Sequence, residues 1–74
     1  MYEKFVDLLM NELQINRDDI TPDAELSNDL GINSIELADL VMLCEEKFNI
    51  EIADDDIRKF ITVGDVAKYL ETLN

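Results

Sequence analysis

The chain has 74 residues, and 18 Asp and Glu against 6 Lys and Arg give it a formal net charge of -12 at pH 7. This length predicts one domain, over residues 1–74, with a thin core. Such acidity disfavours binding to nucleic acid and to anionic lipid, and it favours encounters with basic protein surfaces. The sequence has no histidine and a single cysteine, which excludes an internal disulfide.

The start of the chain carries no targeting pattern. Met1 leads directly into an amphipathic segment rather than into a basic stretch followed by an apolar one. No apolar run approaches the length of a membrane span. We therefore expect a cytoplasmic, reducing location and no membrane insertion. We also expect the protein to be a monomer.

Helical spacing of apolar residues predicts a first helix over residues 2–13. Its apolar positions are Tyr2, Phe5, Val6, Leu9, Met10 and Leu13. Residues 15–33 lose this spacing and are rich in turn-forming residues, which predicts a long loop. A loop of this length needs buried residues of its own. The candidates are Ile20, Leu26, Leu30 and Ile32.

A second helix is predicted from Ile35 to Phe48, where the helical spacing returns. Asn33 is a favoured N-cap residue, and Glu36 stands three positions later, where it can reach back to the backbone of the cap. Ser34 then becomes the first helical residue, with its hydroxyl free to point outward. The stripe predicted to face the core contains Leu37, Leu40, Val41, Cys44 and Phe48.

Two further helices are predicted after a short extended link. Asp54 would cap a short third helix whose first turn contains Asp55 and Asp56. Thr62 and Asp65 form a second capping box at the start of the last helix. Its apolar face contains Val63, Val66, Ala67, Leu70 and Leu73. Without a strand pair in the pattern, the predicted fold is all-α, a small antiparallel bundle of three main helices plus a short third helix before the last.

The chemistry available to Ser34 is narrow. A hydrolytic serine needs a base, and here neither a histidine nor a Gly-x-Ser-x-Gly elbow is present. Calcium binding lacks the spaced Asp loop that ends in Glu, so we expect neither catalytic residues nor a metal site. Cys44, on the core stripe, is interpreted as a small buried hydrophobe.

Ser34 fits better as an acceptor for a group that another enzyme attaches. A phosphate on that group would be favoured by the N–H groups and the positive end of the helix. One side of the same helix carries both apolar and acidic residues. These form either a contact patch for a basic partner or an ordinary solvated surface, and the spacing alone favours the solvated surface. They are Ile35, Glu36, Asp39, Met42, Glu45 and Glu46.

Essentially the whole chain resembles the acyl carrier protein family, most clearly in the segment LGINSIELADLVMLCEEKFNIEIADDDI. The family is marked by a Gly-x-Asp-Ser-Leu segment that opens an acidic helix ending in Glu-Glu-x-Phe. This resemblance implies a carrier without catalytic activity. Ser34 would receive 4′-phosphopantetheine from coenzyme A through a separate, magnesium-using phosphopantetheinyl transferase (holo-acyl-carrier-protein synthase). The thiol of the arm would then hold acyl groups as thioesters.

The resemblance also implies partners and a place for the cargo. Acyl-transferring enzymes, ketoacyl synthases and related enzymes of fatty acid, lipid or polyketide biosynthesis would grip the second helix through basic patches. This maps onto Glu36, Asp39, Glu45 and Glu46, with Ile35 and Met42 as apolar contacts. The acyl chain would lie between the second and third helices, although plain core packing explains the same residues. They are Leu40, Val41, Cys44, Ile52, Ile57 and Phe60.

The motif departs from the family pattern at two positions. Asn33 replaces the usual Asp, which keeps the capping ability but removes a charge, and Ile35 replaces the usual Leu. These departures are compatible with a specialised pathway. The alternatives are an aminoacyl or peptidyl carrier and, in another class, an acidic helical interaction or cation-binding module with an unmodified Ser34.

Overall fold

The structure, a computed structural model, describes residues 1–73, and the regular secondary-structure elements in this range are all helices. Its α-helices are α1 (Tyr2–Leu13), α2 (Ser34–Phe48), α3 (Asp54–Ile57) and α4 (Val63–Thr72). A single 3₁₀ turn lies at Arg17–Asp19, which the sequence did not predict. The all-α prediction and the order of its helices are therefore confirmed.

The core is organised around α1, which contacts both α2 and α4. Phe5 and Leu9, predicted from the helical spacing, are fully buried. Leu8 is buried as well, although it lies outside the predicted stripe. The buried face of α1 is thus wider than the spacing indicated, because this helix is covered from two sides.

The long loop between α1 and α2 is fixed by backbone hydrogen bonds to the start of α4. The Leu26 N–H donates to the Ile61 carbonyl, and the Val63 N–H donates to the Ala24 carbonyl, both at 2.9 Å. Between them lies an isolated antiparallel bridge from Glu25 to Thr62. Of the four residues predicted to be buried in this loop, Ile20, Leu26 and Ile32 are buried and Leu30 is half-buried, and Ala24 is buried as well.

The ends of α3 and α4 correct two details of the sequence prediction. Asp54 is not the cap of α3, because Ala53 has the extended backbone of an N-cap and Asp54 is already helical. The predicted capping box of α4 is confirmed: the Asp65 N–H donates to Thr62 Oγ1 at 3.1 Å, and the Thr62 N–H donates to Asp65 Oδ2 at 3.0 Å. Leu73 lies beyond the end of α4 and is 40% exposed.

Gly64 in the first turn of α4 allows the loop to approach closely. Its N–H donates to the Pro22 carbonyl at 2.9 Å, and a Cβ built on Gly64 would lie 2.9 Å from the same oxygen. Helix propensity alone predicts that Gly64→Ala stabilises the fold by about 1 kcal/mol. We expect instead that Gly64→Ala lowers the free energy of unfolding by about 1 kcal/mol, because the backbone at Pro22 or Gly64 must shift to make room for the new Cβ. Urea denaturation measures the difference, and a stabilised variant would contradict the close approach.

The longest of these helices, α2, contains 15 residues. Within residues 1–73, none of them is both long enough and apolar enough to span a bilayer.

Candidate functional site

The N-terminus of α2 is capped by Asn33 and Glu36 and not by Ser34. The Glu36 N–H donates to Asn33 Oδ1 at 2.8 Å, and the Asn33 N–H donates to Glu36 Oε1 at 3.1 Å. This is the predicted capping box, with Asn33 as the N-cap and Ser34 as the first helical residue. Ser34 is exposed. Its hydroxyl is therefore free of the capping role and open to a modifying enzyme.

The turn before Ser34 explains why the serine stays at the surface. Gly31 has a φ of 68°, in the left-handed region that costs glycine little. Its N–H donates to the Ser27 carbonyl, and the next N–H, that of Ile32, donates to the Leu26 carbonyl. The side chain of Ile32 is buried. The chain is thus anchored two residues before Ser34 and leads outward from there.

The local chemistry fits a phosphate-bearing arm. The cap occupies the N–H of Glu36, and the helix itself uses the N–H of Leu37. The N–H groups of Ser34 and Ile35 remain at the positive end of a 15-residue helix, where a phosphodiester on the serine would lie. A 4′-phosphopantetheine arm would supply a thiol, and that thiol forms thioesters with acyl groups.

The predicted acidic face of α2 divides into two kinds of carboxylate. Asp39 and Glu46 are exposed. Glu36 and Glu45 are half-buried and hold backbone N–H groups: Glu36 accepts from Asn33, and Glu45 Oε2 accepts from Ile52 at 2.8 Å. The two predicted apolar contacts of this face are strongly exposed, at 76% for Ile35 and 57% for Met42.

The six residues predicted to receive an acyl chain all belong to the hydrophobic core or pack against it. Leu40, Val41 and Cys44 of α2 are buried in one hydrophobic cluster with Ile52 and Phe60, and Ile57 packs against it half-buried. The same cluster contains residues of α1, α4 and the long loop, so it is the core of the whole fold. This placement is compatible both with a pocket and with plain core packing, since a chain could enter only by displacing core side chains.

Cys44 is chemically quiet in this position. Burial raises the pKa of its thiol to about 12, and the nearby Glu45 charge adds to the shift. Because the thiolate is the reactive form, we expect an aromatic disulfide reagent at mildly alkaline pH to react with the folded, unmodified protein at least about 100-fold more slowly than with the urea-unfolded chain. Fast reaction without urea would contradict the burial. After attachment of an arm, the new thiol would be the fast-reacting one.

Sequence reasoning missed Tyr69, which ties α4 to α3. Its hydroxyl donates to Asp56 Oδ2 at 2.9 Å, and its ring meets Phe60 edge-on with 5.3 Å between the centroids. Burial, together with the Asp56 carboxylate, raises the pKa of Tyr69. The available signal was that Tyr69 lies three residues after Val66, which places both on the same side of the last helix. Its polar tip gave no indication of the bond to Asp56, because that partner lies 13 residues away.

Comparison with known proteins agrees with this geometry. Residues 3–70 match the family described as "Phosphopantetheine attachment site". An acyl carrier protein of Helicobacter pylori is 41% identical over 71 residues, which cover 96% of this chain and 91% of the relative. An acyl carrier protein of Wolinella succinogenes is 38% identical over 72 residues, covering 97% and 95%.

These matches extend over nearly the full length of the chain and include the start of α2 and the acidic helix that follows. Members of the matched family bear phosphopantetheine, act as carriers rather than as catalysts, and interact with a phosphopantetheinyl transferase and with biosynthetic enzymes, usually those of fatty acids. The chain therefore belongs to the acyl carrier protein family.

Proposed function

We propose that Ser34 bears the 4′-phosphopantetheine arm and that the chain, as one domain over residues 1–74, carries acyl intermediates on it as thioesters. The pathway is fatty acid biosynthesis or a related lipid or polyketide route. The observation that supports this most directly is the exposed Ser34 hydroxyl at the first position of α2, beside a cap that does not need it. We also propose that the protein works in the cytoplasm as a monomer.

Attachment needs a base, and this chain has no histidine to provide one. The Ser34 oxygen would attack the coenzyme A phosphorus that bears the pantetheine, forming a phosphodiester. The bond from that phosphorus to the second phosphate would break, and adenosine 3′,5′-bisphosphate would leave. With no histidine in the sequence, the serine proton would pass to a base of the transferase. This division of labour accounts for a serine without a local activating partner.

The exposed part of the α2 face supports recognition by basic partners. We propose Ile35 and Met42 as apolar anchors and Asp39 and Glu46 as steering charges for the transferase and for acyl-transferring and ketoacyl synthase enzymes. Glu36 and Glu45 were predicted for the same surface. Each would meet a partner while its carboxylate already accepts a backbone hydrogen bond.

Intact mass spectrometry tests the function directly. The protein is incubated with coenzyme A, magnesium and a promiscuous phosphopantetheinyl transferase, and then with an acyl-charging enzyme, ATP and a fatty acid. We expect one phosphopantetheinyl adduct per chain, followed by one acyl group that hydroxylamine removes. A folded protein that gains no adduct would refute the carrier function.

A further inference from the structure

The short helix α3 has little support of its own. It contains four residues, and its N-cap, Ala53, offers no side-chain hydrogen bond. A single helical turn gains too few backbone hydrogen bonds to be stable by itself. The position of α3, and of the extended link that leads to it from Asn49, must therefore depend on contacts from the longer helices.

Glu45 near the end of α2 supplies such contacts through two different groups. Its backbone carbonyl accepts the N–H groups of Asn49 and Ile50, which turn the chain out of the helix. Its carboxylate reaches further and accepts the N–H of Ile52 at 2.8 Å in a part-buried position. A hydrogen bond to an ionised acceptor in partial burial is stronger than a neutral, exposed one.

Ile52 is the residue through which this bond reaches the core. Its side chain is 7% exposed and belongs to the same buried cluster as Leu40 and Cys44 of α2. From the other side, Tyr69 of α4 donates to Asp56 of α3. The link is therefore held to α2 at Ile52, and α3 is held to α4 at Asp56.

We infer that Glu45 is a positioning residue for the acyl pocket: its carboxylate holds Ile52, one wall of that pocket, against α2. The pocket is itself a proposal, lined by Ile52 and the other five residues that the family resemblance implied, and this part of the inference rests on the proposed function. Glu46 is the natural comparison, since it is the next residue along α2, carries the same charge and is exposed. The two glutamates thus have different roles, with Glu45 fixing the link and Glu46 presenting charge to solvent and partners.

Three variants separate positioning from charge. Glu45→Ala removes both the acceptor and the charge, whereas Glu45→Gln removes the charge but keeps an amide oxygen that can accept from Ile52. Glu46→Ala removes a charge from the adjacent exposed site and serves as the matched control. The free energy of unfolding of each variant is first measured by urea denaturation, so that local opening can be distinguished from a change in global stability.

Native-state amide exchange on the unmodified protein tests the hydrogen bond alone. We expect the Ile52 amide to exchange about tenfold faster in Glu45→Ala than in the wild type, beyond any change in global unfolding. Exchange in Glu45→Gln and Glu46→Ala should stay within about threefold of the wild type. Equal exchange in Glu45→Ala and Glu46→Ala would overturn the inference, whether or not the protein accepts an arm.

Protection of a bound acyl group tests the pocket wall. With an octanoyl group loaded on the arm, we expect hydroxylamine to cleave the thioester several-fold faster in Glu45→Ala than in the wild type. The rate should stay close to that of the wild type in Glu46→Ala, and in Glu45→Gln it should stay clearly below that of Glu45→Ala, because the amide keeps a weaker bond to Ile52. Cleavage in Glu45→Gln as fast as in Glu45→Ala would mean that the charge matters rather than the bond, and would overturn the positioning role. Unchanged cleavage beside faster Ile52 exchange would remove the link to the pocket. Failure to load any arm would refute the proposed function and leave the exchange result standing.

Discussion

Ser34→Ala is expected to abolish the phosphopantetheine adduct completely. Modification requires an oxygen nucleophile at the start of α2, and alanine offers none. Ser27→Ala, which removes the other serine of the chain, should leave the adduct unchanged, although Ser27 is also exposed and its carbonyl accepts from Gly31. Intact mass after incubation with the transferase and coenzyme A measures both.

The comparison is fair because neither variant should disturb the fold. Asn33 and Glu36 cap the N-terminus of α2, so Ser34→Ala keeps the capping box. Alanine is also a better helix former than serine, so the stability of the helix should not fall. Urea denaturation checks that both variants are folded. An adduct that survives on Ser34→Ala would refute the assignment of the site, even if the family membership stands.

Local signals predicted much of this structure. The capping boxes at Asn33 and at Thr62 follow from residues three positions apart, and both were found where the sequence indicated. The same holds for the position of Ser34 as the first residue of α2. Such features depend on a few neighbouring residues, and a single sequence contains that information.

Contacts between distant segments were not predictable in the same way. The bridge from Glu25 to Thr62 and the bond from Tyr69 to Asp56 join parts of the chain that only the fold brings together. α3 was misplaced by one residue at its cap, Ala53, because three consecutive aspartates suit a helix start equally well in either register. No periodicity reveals which of these registers the packing selects.

The acidic face of α2 shows what helical spacing can predict and what it cannot. Helical spacing placed Glu36, Asp39, Glu45 and Glu46 on one side of the helix, but spacing cannot show which carboxylates already have backbone donors. Glu36 closes the helix start and Glu45 holds Ile52, so that the exposed charge is concentrated at Asp39 and Glu46. A partner that relies on charge therefore gains most from these last two.

Leu40→Ala is expected to cost about 2 to 5 kcal/mol of unfolding free energy in the unmodified protein. Leu40 is 1% exposed and is one of the six residues proposed to line the acyl pocket. The loss is large, because a domain of this size has only about 4 to 11 kcal/mol in total. Leu8→Ala, which empties a comparably buried site on α1 outside the proposed pocket, should cost a similar amount.

The two variants should differ once an acyl chain is attached. An apolar cavity left by Leu40→Ala remains dry and can take up apolar groups, and each buried methylene contributes about 0.8 kcal/mol. We therefore expect an octanoyl group on the arm to stabilise Leu40→Ala by at least about 1 kcal/mol more than it stabilises the wild type. Leu8→Ala should gain no such excess. Urea denaturation of the arm-bearing and octanoyl-bearing forms measures both gains in unfolding free energy. Equal gains in the two variants would assign Leu40 to core packing alone, because an acyl chain bound beside Leu40 can fill the cavity at Leu40 but not the cavity at Leu8 on α1.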